Sequence, residues 1–172
     1  MTAMETRLPG AIEKYLKIME SVQHTDVSQD TDFQRLFNGY YRMRQRSPEF
    51  YKVFYSYLEQ QKHNRQLTFH DVLSDLYAET GTLTPSFSSK LLATVRPEMP
   101  VWDKFVLQNL GLKAPYYYEK DRMQKTEALY SSICQWYETP AAQENLNVFE
   151  RIHPNVPITD VKKIDFILWL TR

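Results

Sequence analysis

Apolar side chains recur every three or four residues along most of this chain, a spacing that places them on one face of an α-helix. Near the start, Ile12, Leu16, Met19 and Val22 follow this spacing, and Pro9 is predicted to lie in the first turn of their helix. Only four glycines occur in 172 residues, and no Asn-Gly or Asp-Gly pair joins two alternating, strand-like segments. A β-sandwich or barrel of this length needs more turn residues than that. The sequence therefore predicts an all-α fold.

Capping residues and prolines mark where the predicted helices begin and end. The segment 47–49, Ser-Pro-Glu, combines an N-cap, a first-turn proline and an acid that suits the helix dipole. Thr68 and Asp71 have the spacing of a capping box, and Gly81 suits the end of that helix. In all we expect nine short helices, of which three have just been described. The other six are expected from about Asp32, over 91–95, from about 100 to a stop at Gly111, over about 119–137, from 140 to 152 and after the cap Thr159. Because no Gly/Ser-rich linker or repeat separates them, residues 1–172 are predicted to form a single compact domain.

Charge, cysteine count and hydropathy exclude several classes of protein. Lysine plus arginine and aspartate plus glutamate number 21 each, so the chain is not coated in positive charge. The single cysteine, Cys134, excludes an internal disulfide and any zinc or iron–sulfur site made of four cysteines. The four histidines are scattered without metal-ligand spacing, and we expect neither a metal nor another cofactor. No run approaches the ~20 apolar residues of a membrane span, and the N-terminus lacks an apolar signal core, so we expect no membrane association and a cytoplasmic protein.

Basic residues are concentrated in one part of this neutral chain. Residues 35–65 carry seven basic and two acidic side chains. Within this segment, aromatic residues and arginines alternate. Arginine binds phosphate with two hydrogen bonds, and a tyrosine ring can stack on a base. The candidates for nucleic-acid binding are therefore Tyr41, Arg42, Arg44 and Arg46. The alternative is that the aromatic residues are core and the arginines only cover the surface.

A second segment, 88–112, places a lysine on one predicted helix and an aspartate at the start of the next. Lys90 is followed by a proline-bounded loop, and the run Pro-Val-Trp-Asp at 100–103 leads into a helix that ends in Leu-Gly. This layout resembles the central segment of the helix-hairpin-helix DNA glycosylase superfamily, of the endonuclease III type. The hairpin of this resemblance is Thr84-Pro85-Ser86-Phe87-Ser88, which has the family's proline and none of its glycines.

The resemblance implies a helix-hairpin-helix fold, DNA as the partner, and excision of a modified or damaged base. Asp103 would be the catalytic carboxylate that stabilises the sugar cation, and Lys90 would attack the sugar or contact phosphate. Trp102 would stack on the extruded base, with Ser88 and Ser89 as further nucleic-acid contacts. For two of these residues an ordinary structural role is open, since Asp103 also suits an N-cap and Trp102 a buried core position.

A second function is compatible with the same residues. A non-enzymatic, all-helical protein could retain the fold without the chemistry and bind a protein partner as a module or inhibitor. The neutral charge, the hairpin without glycine and the 14% aromatic content favour this alternative, because Tyr, Trp and Phe are common interface anchors.

Overall fold

The computed structural model describes residues 3–171, and within that range every regular element is an α-helix. The prediction of an all-α fold is therefore confirmed. The helices in this range are α1 (Ala3–His24), α2 (Thr31–Tyr41), α3 (Pro48–Gln61), α4 (Phe69–Thr80), α5 (Pro85–Val95), α6 (Lys104–Leu110), α7 (Arg122–Trp136), α8 (Pro140–Ile152) and α9 (Asp160–Leu170).

The helices fall into two compact units that divide between Val95 and Arg96. The first unit holds α1 to α5 and the second holds α6 to α9. The assignment of residues 1–172 to a single domain stays a prediction. None of the helices described in residues 3–171 is both long and apolar enough to cross a membrane.

Aromatic side chains fill the interior of the first unit. The ring of Phe37 in α2 lies 5.9 Å from that of Phe54 in α3, measured between centroids, and both side chains are fully buried. Phe50 of α3 lies 5.4 Å from Phe87 of α5. Aromatic pairs at these distances add to the free energy of apolar burial. They fix α5 against α3, and so determine where the residues of α5 lie.

The second unit is held by an apolar helix pair and by buried hydrogen bonds. Phe149 of α8 and Phe166 of α9 stack with their centroids 6.1 Å apart. The hydroxyl group of Tyr130 in α7 donates to the carbonyl oxygen of Pro100 at 2.8 Å, which ties the segment before α6 to α7. The side-chain amide of Asn109 in α6 donates to the carbonyl oxygen of Leu168 at 2.8 Å. The segment before α6 is therefore tied to α7, and α6 itself is tied to α9.

The capping residues act as the sequence predicts. The Ser47 hydroxyl oxygen accepts a hydrogen bond from the backbone N–H of Phe50, and Thr68 and Asp71 form a reciprocal capping box. Gly81 and Gly111 end α4 and α6 with φ angles of 69° and 66°, where a residue with a Cβ is strained.

Four helix starts differ from their predicted positions. Helix α5 begins at Pro85 rather than near 91, with the proline at its first position, where a backbone N–H has no partner within the helix. Helix α1 begins at Ala3, so Pro9 lies inside it and not in its first turn, and the helix lacks the backbone N–H that this residue would otherwise donate. Helix α6 begins at Lys104 rather than near residue 100, because the Asp103 carboxylate caps the helix from an extended backbone. Helix α7 begins at Arg122 rather than near 119, because Glu119 closes a turn just before it.

Candidate nucleic-acid interface

Three predicted nucleic-acid residues, Arg42, Arg44 and Arg46, lie in the exposed connection between α2 and α3. We call residues 42–46 the arginine segment. Its backbone is irregular, since Arg42 and Gln45 have φ angles of 53° and 64°. The geometry of a continuous helix, which would send alternate side chains to opposite sides, therefore does not apply to these arginines.

The arginine segment lies against the first turn of α5. The guanidinium carbon of Arg46 is 5.1 Å from the ring centroid of Phe87 and 5.5 Å from that of Phe50. These distances are typical of cation–π contacts. Arg46 also lines a surface groove of about 300 Å³, together with Gln45 and Thr82. The cationic end of the segment is thus next to the residues that the resemblance assigns to the hairpin.

Two hydroxyl groups at the start of α5 are buried and have no hydrogen-bond partner among the described residues. They belong to Thr84, which directly precedes α5, and to Ser88, four residues later. The neighbouring Ser89 is also fully buried, and its hydroxyl group donates to the carbonyl oxygen of Ser86 at 2.9 Å. A buried polar group without a partner costs free energy, so such groups are often found at sites that take a ligand or water.

Lys90 lies inside the first unit rather than on its surface. Only 5% of the residue is exposed, and its Nζ donates to the carbonyl oxygen of Tyr41 at 3.1 Å. The same Nζ is 5.7 Å from the ring centroid of Phe87. Lys90 therefore ties α5 to the last residue of α2, where the arginine segment begins. Two predicted site residues, Lys90 and Tyr41, are brought into direct contact in this way.

Asp103 and Trp102 belong to the second unit. The Asp103 carboxylate accepts a hydrogen bond from the backbone N–H of Phe105 at 2.7 Å and so forms the N-cap of α6. The residue is half-buried, which leaves part of it open to solvent. Trp102 is 4% exposed, so its ring is covered.

A buried charged group near Asp103 has no counterpart in the sequence-based predictions. Asp165 of α9 is 6% exposed and accepts a hydrogen bond from the Tyr137 hydroxyl group, while the Lys162 ammonium lies 3.6 Å from its other oxygen. Burial raises the pKa of Asp165 to about 6, and the negative charge of Asp103 acts in the same direction; Lys162 and Tyr137 oppose the shift. The signal in the sequence is weak: an Asp three residues after a Lys in an apolar helix.

A second feature that the sequence analysis missed is a run of exposed tyrosines. We call residues 116–119, Tyr-Tyr-Tyr-Glu, the tyrosine turn; it lies between α6 and α7. The tyrosine rings are exposed. The sequence signal is the three consecutive tyrosines. Because they do not recur at the three- or four-residue spacing of a helix face, they indicate a surface loop rather than a core segment.

Comparison with protein-family models, with curated proteins and with solved structures gave no significant match to this chain. Within residues 3–171, no group of three or more His, Cys, Asp or Glu side chains is placed to hold a metal ion. The functional argument therefore depends on the geometry of the candidate residues.

Proposed function

We propose that the protein binds DNA through the arginine segment and the adjoining start of α5, as a protein of the DNA glycosylase type. The observation that carries the proposal is the contact of the Arg46 guanidinium with Phe87, 5.1 Å from the ring centroid. It brings an exposed cationic segment next to the N-terminus of a helix. Guanidinium groups and helix N-termini both favour phosphate.

The loop between α4 and α5 belongs to the proposed interface, because its Thr82 lines the same groove as Arg46. The loop comprises residues 81–84, and residues 85–88 of the segment that the resemblance assigns to the hairpin form the first residues of α5. The hydroxyl groups of Thr84 and Ser88 at this end of α5 are buried, so we assign the phosphate contacts to the exposed arginines. Two carboxylates, Glu49 and Glu79, line the groove beside Arg46, so we expect the phosphates on the arginine side of that groove.

The chemical part of the proposal assigns base excision to Asp103. A carboxylate near the sugar stabilises the positive charge that builds up as the N-glycosidic bond breaks. Asp103 is half-buried, and one of its oxygens caps α6, which holds the carboxylate in a fixed orientation. We assign Lys90 a structural role, because its ammonium is buried against the Tyr41 carbonyl. The compartment that goes with this function is the cytoplasm.

A second candidate function is a binding module without catalysis. The structural contacts of Lys90 and Asp103 and the burial of Trp102 favour it, since each of these residues contributes to folding without any substrate. In that case the fold would serve to bind a protein partner.

The binding proposal is tested with a fluorescently labelled DNA duplex and anisotropy at about 50 mM salt, where phosphate contacts are strong. We expect Arg42→Ala/Arg44→Ala/Arg46→Ala to weaken duplex binding at least tenfold. The matched control is Arg35→Ala, which removes an exposed arginine of α2 whose guanidinium pairs with Asp32 at 3.3 Å. Equal binding by the wild type and the triple variant would contradict the proposal. If the wild type shows no duplex binding, the protein-binding function replaces it.

The catalytic proposal is tested by release of free base from duplexes that carry a panel of modified bases. We expect release by the wild type and a decrease of orders of magnitude for Asp103→Asn, which keeps the cap and removes the charge. Equal release by the two proteins would remove Asp103 from the mechanism.

A further inference from the structure

The tyrosine turn presents aromatic surface to solvent without a visible structural need. The exposed fractions of Tyr116, Tyr117 and Tyr118 are 50%, 84% and 68%. A single exposed apolar residue is normal on a protein surface, whereas a contiguous exposed group of aromatic rings marks an interaction site. The position of these rings therefore indicates a ligand.

The backbone of the turn is fixed before any ligand binds. The Tyr116 N–H donates to the Glu119 carboxylate at 2.9 Å, and the Glu119 N–H donates to the Tyr116 carbonyl oxygen at 3.2 Å. The Glu119 carboxylate is also ion-paired with Lys125 of α7. A surface that is already ordered loses less conformational entropy on binding than a flexible loop does.

The three rings support one another. Tyr116 and Tyr118 stack with their planes 3° apart and their centroids 5.4 Å apart, and Tyr117 meets Tyr118 edge-on at 5.5 Å. The Lys113 ammonium lies 5.7 Å from the centroid of Tyr116. Tyr117 is the most open of the three, so its ring is the one most accessible to a planar ligand.

The residues around the turn carry an excess of positive charge. Between residues 113 and 125 the sequence has four basic and two acidic side chains. Lys113, Tyr116 and Lys125 line a groove of about 400 Å³ that runs along Leu129 and Ser132 of α7. Glu119 also lines this groove, and its carboxylate pairs with Lys125, so we assign the phosphate to Lys113. Aromatic rings beside ammonium groups match the two parts of a nucleotide, since the bases stack and the phosphates pair with cations.

We propose that the tyrosine turn is a stacking surface for unpaired bases of single-stranded nucleic acid, with the Lys113 ammonium beside it binding a phosphate. The faces of paired bases are covered by their neighbours in a duplex, so this surface selects single strands. The inference rests on the proposed function for the class of ligand, which is nucleic acid. It extends nucleic-acid binding to a surface of the second unit.

The test is the binding of a labelled oligothymidine of twelve nucleotides, followed by anisotropy at low salt. We expect Tyr117→Ala to weaken binding about tenfold, within the range for the loss of one stacked base, and Tyr117→Phe to bind like the wild type because the ring is kept. Tyr77→Ala is the matched control, since Tyr77 is an exposed tyrosine of α4 at 47%. Thermal unfolding checks that Tyr117→Ala folds.

The outcomes separate this inference from the proposed function. If the wild type binds the duplex but not the oligothymidine, or if Tyr117→Ala binds the oligothymidine as tightly as Tyr77→Ala, the inference is wrong and the proposed function stands. If the oligothymidine binds in a Tyr117-dependent way while the duplex does not bind, the inference stands and duplex binding through the arginine segment is wrong. If neither DNA binds, both are wrong, and the exposed tyrosines are left as anchors for a protein partner.

Discussion

The ammonium group of Lys90 donates a hydrogen bond to the carbonyl oxygen of Tyr41, 3.1 Å away, and both residues are buried. The bond joins α5 to the end of α2, directly before the arginine segment. The sequence suggests a functional role for the Lys90 charge, whereas in the structure this charge makes a structural contact inside the first unit. The position of the arginine segment relative to α5 depends on this bond and on the contact of Arg46 with Phe87.

Lys90→Met is expected to destabilise the protein. Methionine retains most of the aliphatic volume but leaves the buried carbonyl of Tyr41 without this donor, which costs about 1–3 kcal/mol. Urea unfolding at neutral pH measures the change. Unchanged stability together with a loss of DNA binding would show that the Lys90 ammonium serves the ligand instead.

Substitutions of Asp103 are expected to separate its cap from its charge. Asn caps a helix about as well as Asp, so Asp103→Asn should unfold like the wild type, whereas Asp103→Ala should lose about 1 kcal/mol through loss of the bond to the Phe105 N–H. Chemical denaturation of the two variants gives the comparison. A large loss of stability in Asp103→Asn would mean that its negative charge is structural.

Removing the buried hydroxyl groups at the start of α5 should not destabilise the protein. Thr84→Val and Ser88→Ala each delete a buried hydroxyl that has no partner among the described residues, so the free energy of unfolding should stay the same or increase. Duplex affinity should stay the same, because both hydroxyl groups are buried and closed to a phosphate. Thermal unfolding and anisotropy on the same samples test this, and a loss of stability in either variant would show that its hydroxyl group has a partner in the folded protein.

The pH dependence of stability should reveal Asp165. Burial raises its pKa to about 6 in the folded protein, above its ordinary value of 3.8. Between these two values the folded state binds a proton that the unfolded state has released, so the contribution of this group to stability decreases as the pH rises from about 4 to about 6. Relative to Asp165→Asn, which does not titrate, the wild type should therefore become less stable over this interval.

Other carboxyl groups also contribute to the pH dependence, because hydrogen bonds and ion pairs lower their pKa values, as at Asp71 and Glu150. Their contributions cancel when the unfolding free energy of Asp165→Asn is subtracted from that of the wild type. The measurement is the unfolding free energy of both proteins at several pH values from 4 to 7. A difference that stays constant, or that moves in favour of the wild type as the pH rises, would contradict the raised pKa.

Local signals in the sequence predict the fold class and most helix ends. The caps at Ser47 and Thr68 and the stop at Gly81 depend on bonds within a few residues, so their positions can be read from the sequence. The start of α7 could not be predicted in this way. It depends on the Glu119 carboxylate, which bonds to both Tyr116 and Lys125, and no local propensity specifies that combination.

The candidate site could be predicted only in part. The exposure of the arginines follows from their charge, whereas the burial of Lys90 depends on a carbonyl 49 residues earlier in the chain. The contact of Arg46 with Phe87 likewise requires α3 and α5 to pack through their aromatic rings. Asp165 was missed because a helix pattern does not show that a nearby tyrosine and lysine will allow a carboxylate to be buried.

The most direct test of the central claim is the salt dependence of duplex binding. The logarithm of the association constant is measured against the logarithm of salt concentration, for the wild type, Arg35→Ala and Arg42→Ala/Arg44→Ala/Arg46→Ala. Since each phosphate contact contributes about 0.9 to the slope, the account predicts a slope about two to three units shallower for the triple variant and a wild-type slope for Arg35→Ala. Equal slopes for all three proteins would show that the arginine segment does not contact phosphate and would contradict the account.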